Sequence, residues 1–288
     1  MPELPEVEVV KRSLEKKLQN LIIKKVKIID GNLRYKLRLN HMSKLIGKKI
    51  KKVKRRSKYL VFEIYDDLFM IAHLGMTGKF FFIDRKDKKF KTSFHDINNK
   101  NDEKYDKVIF FLQNNQKLVY NDVRKFGFIK IFNQNQFNYN SHFSKLGPEP
   151  LDDDFNFDYF KKYIKRTNRL IKNVLMDQKF VSGLGNIYVN ETLFHSGVKP
   201  NRRVNKLTNL EINAIIKNTK IVLTNSIKLG GSSIKNFSSD DGKKGMFQQF
   251  FKVYGRKGEK CTNIACNTFI QRTTISNRAT FFCEKCQK

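Results

Sequence analysis

The sequence predicts an α+β chain of more than one domain. It should have a β-sandwich or barrel behind an N-terminal helix, then a helical stretch, then a small cysteine module. Three observations predict this. Short β-rich runs separated by polar turns fill the chain up to about residue 132. From about residue 151 the apolar residues recur at helical spacing. All four cysteines crowd between residues 261 and 286. A chain of 288 residues, 40% of them apolar, is too long for one small core and suits two domains with an appendage.

The first helix starts near Pro5, a residue type suited to a first helical turn, and Val7, Val10, Leu14 and Leu18 share one face. Strands are expected at 21–29, 59–64, 68–73, 80–83, 108–112, 117–121 and 128–132. Residues 84–104 are polar and without period, and read as an extended loop between strands. The pattern switches at Leu146-Gly147-Pro148-Glu149-Pro150, read as a hinge. Asp152, Asp153 and Asp154 precede a helix over 155–164, where acids favour a helix N-terminus. Another helix is expected over 169–178. Ser182-Gly183-Leu184-Gly185-Asn186 then breaks the pattern before a helix through His195, ended by Gly197. Thr208 and Glu211 have capping-box spacing for a long helix that closes at Gly230-Gly231. The domains expected are 1–135, a linker 136–150, 151–246, and the cysteine module 247–288.

Charge narrows the class of partner. Lys plus Arg is 58 and Asp plus Glu is 27, a net charge of +31. That excess favours a polyanion through counterion release and steering. The plainer alternative is coding bias with a solvated surface, because Lys, Asn, Ile and Phe are abundant and no single Lys or Asn carries an argument alone. No long basic amphipathic helix points to a membrane surface, and no stretch approaches a transmembrane span. Acids stand at the N-terminus where a signal peptide needs bases. A cytosolic protein is therefore expected, and there paired cysteines favour metal over disulfide.

The spacing is Cys261-x4-Cys266, sixteen residues, then Cys283-x2-Cys286. Two thiolate pairs on two knuckles can close a tetrahedron around zinc. A site with four thiolates has no open position, so its one zinc should be structural. The hairpin between the pairs carries Arg272, Arg278 and several threonines, a composition suited to phosphate contacts. At the other end, Pro2 is a small second residue, so Met1 should be removed and the chain should begin with a secondary amine. An α-amino group titrates at roughly 7.7–8.0, so a useful fraction is unprotonated at neutral pH. Such an amine can attack a sugar carbon to form a Schiff base, with Glu3 and Glu6 beside it as proton donors. From these residues alone an ordinary helix start is the commoner reading of such a pattern.

The segment Pro2-Glu3-Leu4-Pro5-Glu6-Val7-Glu8 resembles the start of formamidopyrimidine-DNA glycosylases almost letter for letter. The likeness continues in order. Arg55-Arg56-Ser57-Lys58-Tyr59-Leu60 is similar to that family's catalytic-lysine segment. His73-Leu74-Gly75-Met76-Thr77-Gly78 is similar to its loop with an intercalating Met, and Asp122-Val123-Arg124-Lys125-Phe126-Gly127 to its Arg–Phe loop. Leu146–Leu151 resembles its linker, 175–188 its helix–two-turn–helix motif, and 253–256 with 278–283 its zinc finger.

The resemblance implies an N-terminal β-sandwich with flanking helices, a helix–two-turn–helix domain and a C-terminal zinc-finger hairpin. It implies base-excision repair of damaged double-stranded DNA by a monomer, with excision of 8-oxoguanine and formamidopyrimidines and strand scission by β,δ-elimination, and no redox or nucleotide cofactor. Pro2, Glu3, Lys58 and Arg278 would form the reaction centre. Met76, Arg124 and Phe126 would fill the void left by the extruded base. Tyr105, Arg169, Lys172 and Asn186 would contact DNA. For Asn186 a helix cap is a compatible role. Residues 232–245 resemble a flexible lid.

Four departures stand out. Tyr105-Asp106-Lys107 replaces a His-Asp-His run, Val123 replaces Pro, the first cysteine pair is x4 rather than x2, and the 84–104 stretch is long. The alternatives are an endonuclease VIII-like enzyme for oxidised pyrimidines, whose start has Gly where Leu4 stands, and a non-catalytic zinc-stabilised DNA-binding protein.

Overall fold

The computed structural model describes residues 1–91, 102–232 and 246–288. The chain divides into two compact units, Met1–Ser144 with Gly230–Met246, and Lys145–Leu229 with Phe247–Lys288.

The first unit opens with helix α1 (Leu4–Leu18), which has Pro5 in its first turn and buries Val7, Val10, Leu14 and Leu18, the predicted apolar face. Strand β1 (Ile23–Ile28), a short helix α2 (Leu39–Met42), and strands β2 (Ile50–Arg56), β3 (Tyr59–Ile64), β4 (Leu68–His73) and β5 (Lys79–Ile83) follow. After them come β6 (Lys89–Lys91), β7 (Asp106–Leu112), β8 (Lys117–Asn121), β9 (Phe128–Asn133) and a short helix α3 (Gln134–Asn138). The strands form two sheets, in the orders β1-β7-β8-β5-β6 and β2-β3-β4-β9. Every pairing is antiparallel. Both sheets and α1 feed one core, with Leu14, Phe62, Met70, Phe80, Phe110 and Tyr120 in it. A sandwich, not a barrel, is therefore the N-terminal architecture.

The runs expected at 59–64, 68–73 and 117–121 are β3, β4 and β8 to the residue. Two strands differ from expectation. In β2 a bulge between Ile50 and Lys52 breaks the period of two, so Ile50 and Val53 face inward amid lysines and arginines and no alternation is visible. The stretch read as a loop over 84–104 contributes β6, paired with β5, and a 3-10 turn at Asp102–Tyr105. Residues 92–101 lie outside the described residues.

The second unit holds helices α4 (Phe157–Ile164), α5 (Ile171–Met176), α6 (Asn186–His195) and α7 (Asn209–Lys228), and a hairpin of β10 (Gln271–Ile275) and β11 (Arg278–Phe282). The predicted capping box starts α7: Glu211 N donates to Thr208 Oγ1 at 3.2 Å and Thr208 N donates to Glu211 Oε2 at 2.7 Å. Left-handed Gly230 and Gly231 follow its end.

Three expectations need correction. Helix α4 begins two residues later than read, because Asn156, not the acids before it, caps it by accepting from Tyr159 N at 3.0 Å. Helix α5 is shorter than 169–178, since the Asp177 carboxylate accepts from Lys179 N and turns the chain. The cap of α6 is Gly185, not Asn186. The stretch read as a hinge is bonded into this unit, with Gly147 N donating to Gln178 O and Ser182 N to Pro148 O. No helix among the described residues is long and apolar enough to cross a membrane.

The β3–β4 register sets Tyr59 opposite His73, and Phe128 stacks on the imidazole. His73 Nδ1 accepts from Gly75 N at 3.1 Å, which requires that nitrogen to be unprotonated. Burial, helped by the charges of Lys58, Arg34 and His142, pushes its pKa from 6.5 down to about 4. Between those values the unfolded chain binds more protons than the folded one, so stability is lost as pH falls through that window. The urea midpoint should therefore fall as pH drops from 6.5 to 4 in the wild type, and fall less in His73→Asn. Parallel pH profiles for the two proteins would refute the assignment.

Candidate functional site

The start of α1 gathers charge in a place where charge is costly. Pro2 is buried, and Glu3 and Glu6 are only 4% and 3% exposed. Buried carboxylates persist only when hydrogen-bonded or paired. Glu6 meets this need fully: Oε2 accepts from Glu3 N at 2.9 Å, and Oε1 accepts from Ser232 N at 2.8 Å and Ser232 Oγ at 2.9 Å. Residues 233–245, the rest of the expected lid, lie outside the described residues.

Lys58 reaches the same region from the β2–β3 hairpin. Arg56 pairs with Tyr59, leaving Ser57 and Lys58 as a two-residue loop, with Ser57 at φ 56°. Arg55 fastens this loop to α1. Its Nε donates to Glu8 Oε2 at 2.9 Å and its Nη1 to Ser57 O at 3.0 Å. The terminal amine, carried by Met1 here, lies among these groups. Burial lowers its pKa below the ordinary value, as do the charges of Lys58 and Arg124, against the opposite pull of Glu3 and Glu6. An amine so placed is more often unprotonated at neutral pH, the form that can act as a nucleophile.

Two turns of the same unit present large exposed side chains. Met76 is 40% exposed and Phe126 is 49% exposed. The Arg124 guanidinium lies over the Phe126 ring, 4.7 Å from its centroid. The turns touch through backbone: a Cβ on Gly75 would lie 2.5 Å from Gly127 N, so only glycine permits this approach. Tyr105 is half-buried, and its carbonyl accepts from Asp122 N at 3.1 Å.

In the second unit Gln178 holds the double turn between α5 and α6. Its amide donates to Leu184 O at 2.8 Å and to Met176 O at 3.1 Å, and its Oε1 accepts from Gly183 N at 2.8 Å. Lys172 and Asn186, expected at phosphates, both grip the hairpin. Lys172 is fully buried and donates to Ala279 O at 3.0 Å and to Thr280 Oγ1 at 2.6 Å. Asn186 Nδ2 donates to the same Ala279 O at 2.9 Å. Burial, with the charge of Arg278 beside it, pulls the Lys172 pKa down to about 8. Arg278 itself is exposed at the start of β11, next to a two-residue turn in which Ser276 and Asn277 are both left-handed. Arg169 is exposed and paired with Asp177 at 2.7 Å.

The four cysteines come together in this unit, with all ligand atoms within 4.8 Å of one another. Cys261 Sγ lies 3.8 Å from Cys286 Sγ, and Cys266 Sγ lies 3.5 Å from Cys283 Sγ. This cluster can hold a metal ion. Sequence reading named neither Arg55 nor His73 as a site residue. Both stand inside quoted motifs, but each acts through groups distant in sequence or through burial, which residue type does not reveal.

The comparisons agree with this geometry. Residues 1–129 match the family model for the formamidopyrimidine-DNA glycosylase N-terminal domain, and residues 146–238 match the model for the H2TH domain of the same enzymes. A formamidopyrimidine-DNA glycosylase of Rickettsia bellii is 40% identical over 288 residues, covering 100% of both chains. One from Ruegeria pomeroyi is 36% identical with the same coverage. Among solved structures, a complex of the Lactococcus lactis Fpg with abasic-site DNA superposes with a TM-score of 0.85 at 35% identity, covering 99% of each chain. A variant of that protein with Fapy-dG DNA gives 0.86 at 35% identity and covers 100% of each. With both of its halves matched and relatives aligned from end to end, the chain belongs to the formamidopyrimidine-DNA glycosylase family.

Proposed function

We propose that this protein is a bifunctional DNA glycosylase and AP lyase that removes 8-oxoguanine and formamidopyrimidines from double-stranded DNA. One observation carries the reading: a terminal amine of lowered pKa lies among Glu3, Glu6, Lys58 and Arg124. With Met1 removed, the Pro2 secondary amine attacks C1′ of the damaged nucleotide while Glu3 protonates the ring oxygen. The glycosidic electron pair leaves with the base. The C1′–O4′ bond opens onto the protonated ring oxygen as the proline nitrogen, having lost its proton, completes the double bond to C1′. The resulting iminium draws electrons from C2′, and β- then δ-elimination expel the flanking phosphates. Lys58 is a phosphate ligand rather than the nucleophile, because the amine with a lowered pKa is the one at the chain start, beside the carboxylates of Glu3 and Glu6.

An extruded base leaves a void. Met76 and Phe126 are apolar and exposed, which a core role would not explain, and Arg124 stacks on Phe126. These three fill the void. Tyr105 and Arg169 add contacts along the duplex. Arg278 meets the phosphate at the lesion from the hairpin, while Lys172 and Asn186 add DNA contacts and hold its strand in place through the Ala279 carbonyl. The net charge of +31 supplies nonspecific affinity.

The cysteine cluster fits one structural zinc. Bonds of about 2.3 Å in a tetrahedron set sulfurs about 3.8 Å apart, close to the Cys261–Cys286 and Cys266–Cys283 separations. The ion would hold the knuckles that carry β10 and β11, with no open position for chemistry.

Duplexes carrying a single 8-oxoguanine or thymine glycol test the function. The purine lesion should be cut with β,δ-elimination ends and faster than the pyrimidine lesion. The reverse preference would make the protein endonuclease VIII-like, and cleavage of neither would make it a binding protein. Metal analysis should find one zinc per chain, lost in Cys283→Ser together with DNA affinity. Purified wild type free of zinc would overturn that assignment.

A further inference from the structure

The Met76 turn and the Arg124–Phe126 turn lie 45 or more residues apart in sequence, yet side-chain hydrogen bonds join them. Thr77 Oγ1 donates its only proton to Asp122 Oδ1 at 2.5 Å and accepts from Arg124 N at 2.9 Å. Asp122 is fully buried, and its second oxygen accepts from Gly127 N at 2.8 Å. One carboxylate thus closes the 122–127 turn on itself and bolts it to Thr77. Between Arg124 and Phe126, Lys125 sits at φ 59°, a conformation disfavoured for a residue with a Cβ. Such backbone persists only where its surroundings over-determine it. Asp30 adds an anchor, accepting from Lys125 Nζ at 2.9 Å and from Lys107 Nζ at 2.8 Å. The Thr77 hydroxyl and the buried Asp122 carboxylate that make the bolt are engaged in these bonds within the turns.

We infer that Thr77 and Asp122 are positioning residues that weld the two turns into one rigid wedge, and that this weld serves base eversion rather than bond chemistry. The inference rests on the proposed void-filling role of Met76, Arg124 and Phe126. A stiff wedge enters the stack without first being ordered, so less of its binding energy is lost to ordering. A loose wedge would lose that advantage at a base that must be unstacked. It would lose little at an abasic site, where there is no base to extrude.

Single-turnover cleavage of an 8-oxoguanine duplex, set beside cleavage of a preformed abasic-site duplex, tests this. Thr77→Val keeps the volume, removes the proton from Asp122 and removes the acceptor from Arg124 N. It should slow cleavage at 8-oxoguanine by roughly tenfold, on the scale of the lost hydrogen bond to the Asp122 carboxylate, and at the abasic site by less than about twofold. Thr77→Ser, which keeps the hydroxyl, should restore the wild-type ratio. Asp122→Asn should shift the ratio in the same direction. If Thr77→Val folds poorly, both rates fall together. The Thr77→Ser ratio at matched soluble concentration then decides, and a ratio displaced from wild type despite the retained hydroxyl would overturn the proposal. Equal loss on both substrates in a folded Thr77→Val protein, or no loss, would also overturn it. A wild type inactive on both duplexes would instead overturn the function on which it rests.

Discussion

The guanidinium of Arg55 is the interaction on which the rest of the proposed reactive site depends. It is 10% exposed and bridges Glu8 of α1 and the carbonyl of Ser57. The helix brings the chain start, and the hairpin brings Lys58. Without that bridge, the two segments would share a core but not a register. A protein with a net charge of +31 must also gather several cations around one amine without driving them apart. Glu3, Glu6 and Glu8 provide the opposing charge, and their placement at the cap and in the first two turns of α1 suits the positive end of the helix dipole. Glu6 accepts from both the Glu3 and the Ser232 backbone, so the order of the chain start is tied to the residue that leads into 233–245.

The same principle builds the second unit. Long polar side chains from helices hold backbone groups of segments distant in sequence. Lys172 and Asn186 share the Ala279 carbonyl, and Asn190 accepts from Phe281 N at 2.8 Å. Glu191, 1% exposed, accepts from three successive backbone amides of Lys252, Val253 and Tyr254. These contacts fix β11 on α5 and α6 and fix the chain leading into the cysteine cluster. Arg278 is consequently presented by a strand whose position is set by side chains and the cysteine cluster, not by a large apolar core. A buried polar network of this kind is stable only when satisfied throughout, so each member matters more than one hydrogen bond would suggest.

Much of the fold was legible because it follows from local periodicity. Strands β3, β4 and β8 alternate or run apolar within clear polar bounds, and α1 and α7 carry helical faces with recognisable starts. Cysteine spacing disclosed the four-cysteine cluster, since two pairs in one short module have few other uses. Strand β2 was hidden by its bulge and its lysines, and the short helices α2 and α3 lack the length to show a period. Of the site, the residue types at Pro2, Glu3 and Lys58 were legible mainly through family likeness. The bonds that place them were not. Arg55 lies 47 residues from Glu8, Thr77 45 from Asp122, and Lys172 108 from Thr280. No local pattern reports such pairs, and a buried lysine that bonds a carbonyl looks in sequence like any surface lysine.

The central claim is that the reaction runs through the secondary amine at residue 2. Borohydride reduction during turnover on 8-oxoguanine DNA traps an amine–sugar iminium as a stable bond. Peptide mapping of that adduct by mass spectrometry is the most direct measurement. The account predicts one cross-link, on Pro2 of a chain that has lost Met1, and none when an added residue turns that nitrogen into an amide. A cross-link on Lys58, or trapping that survives a blocked Pro2, would contradict it.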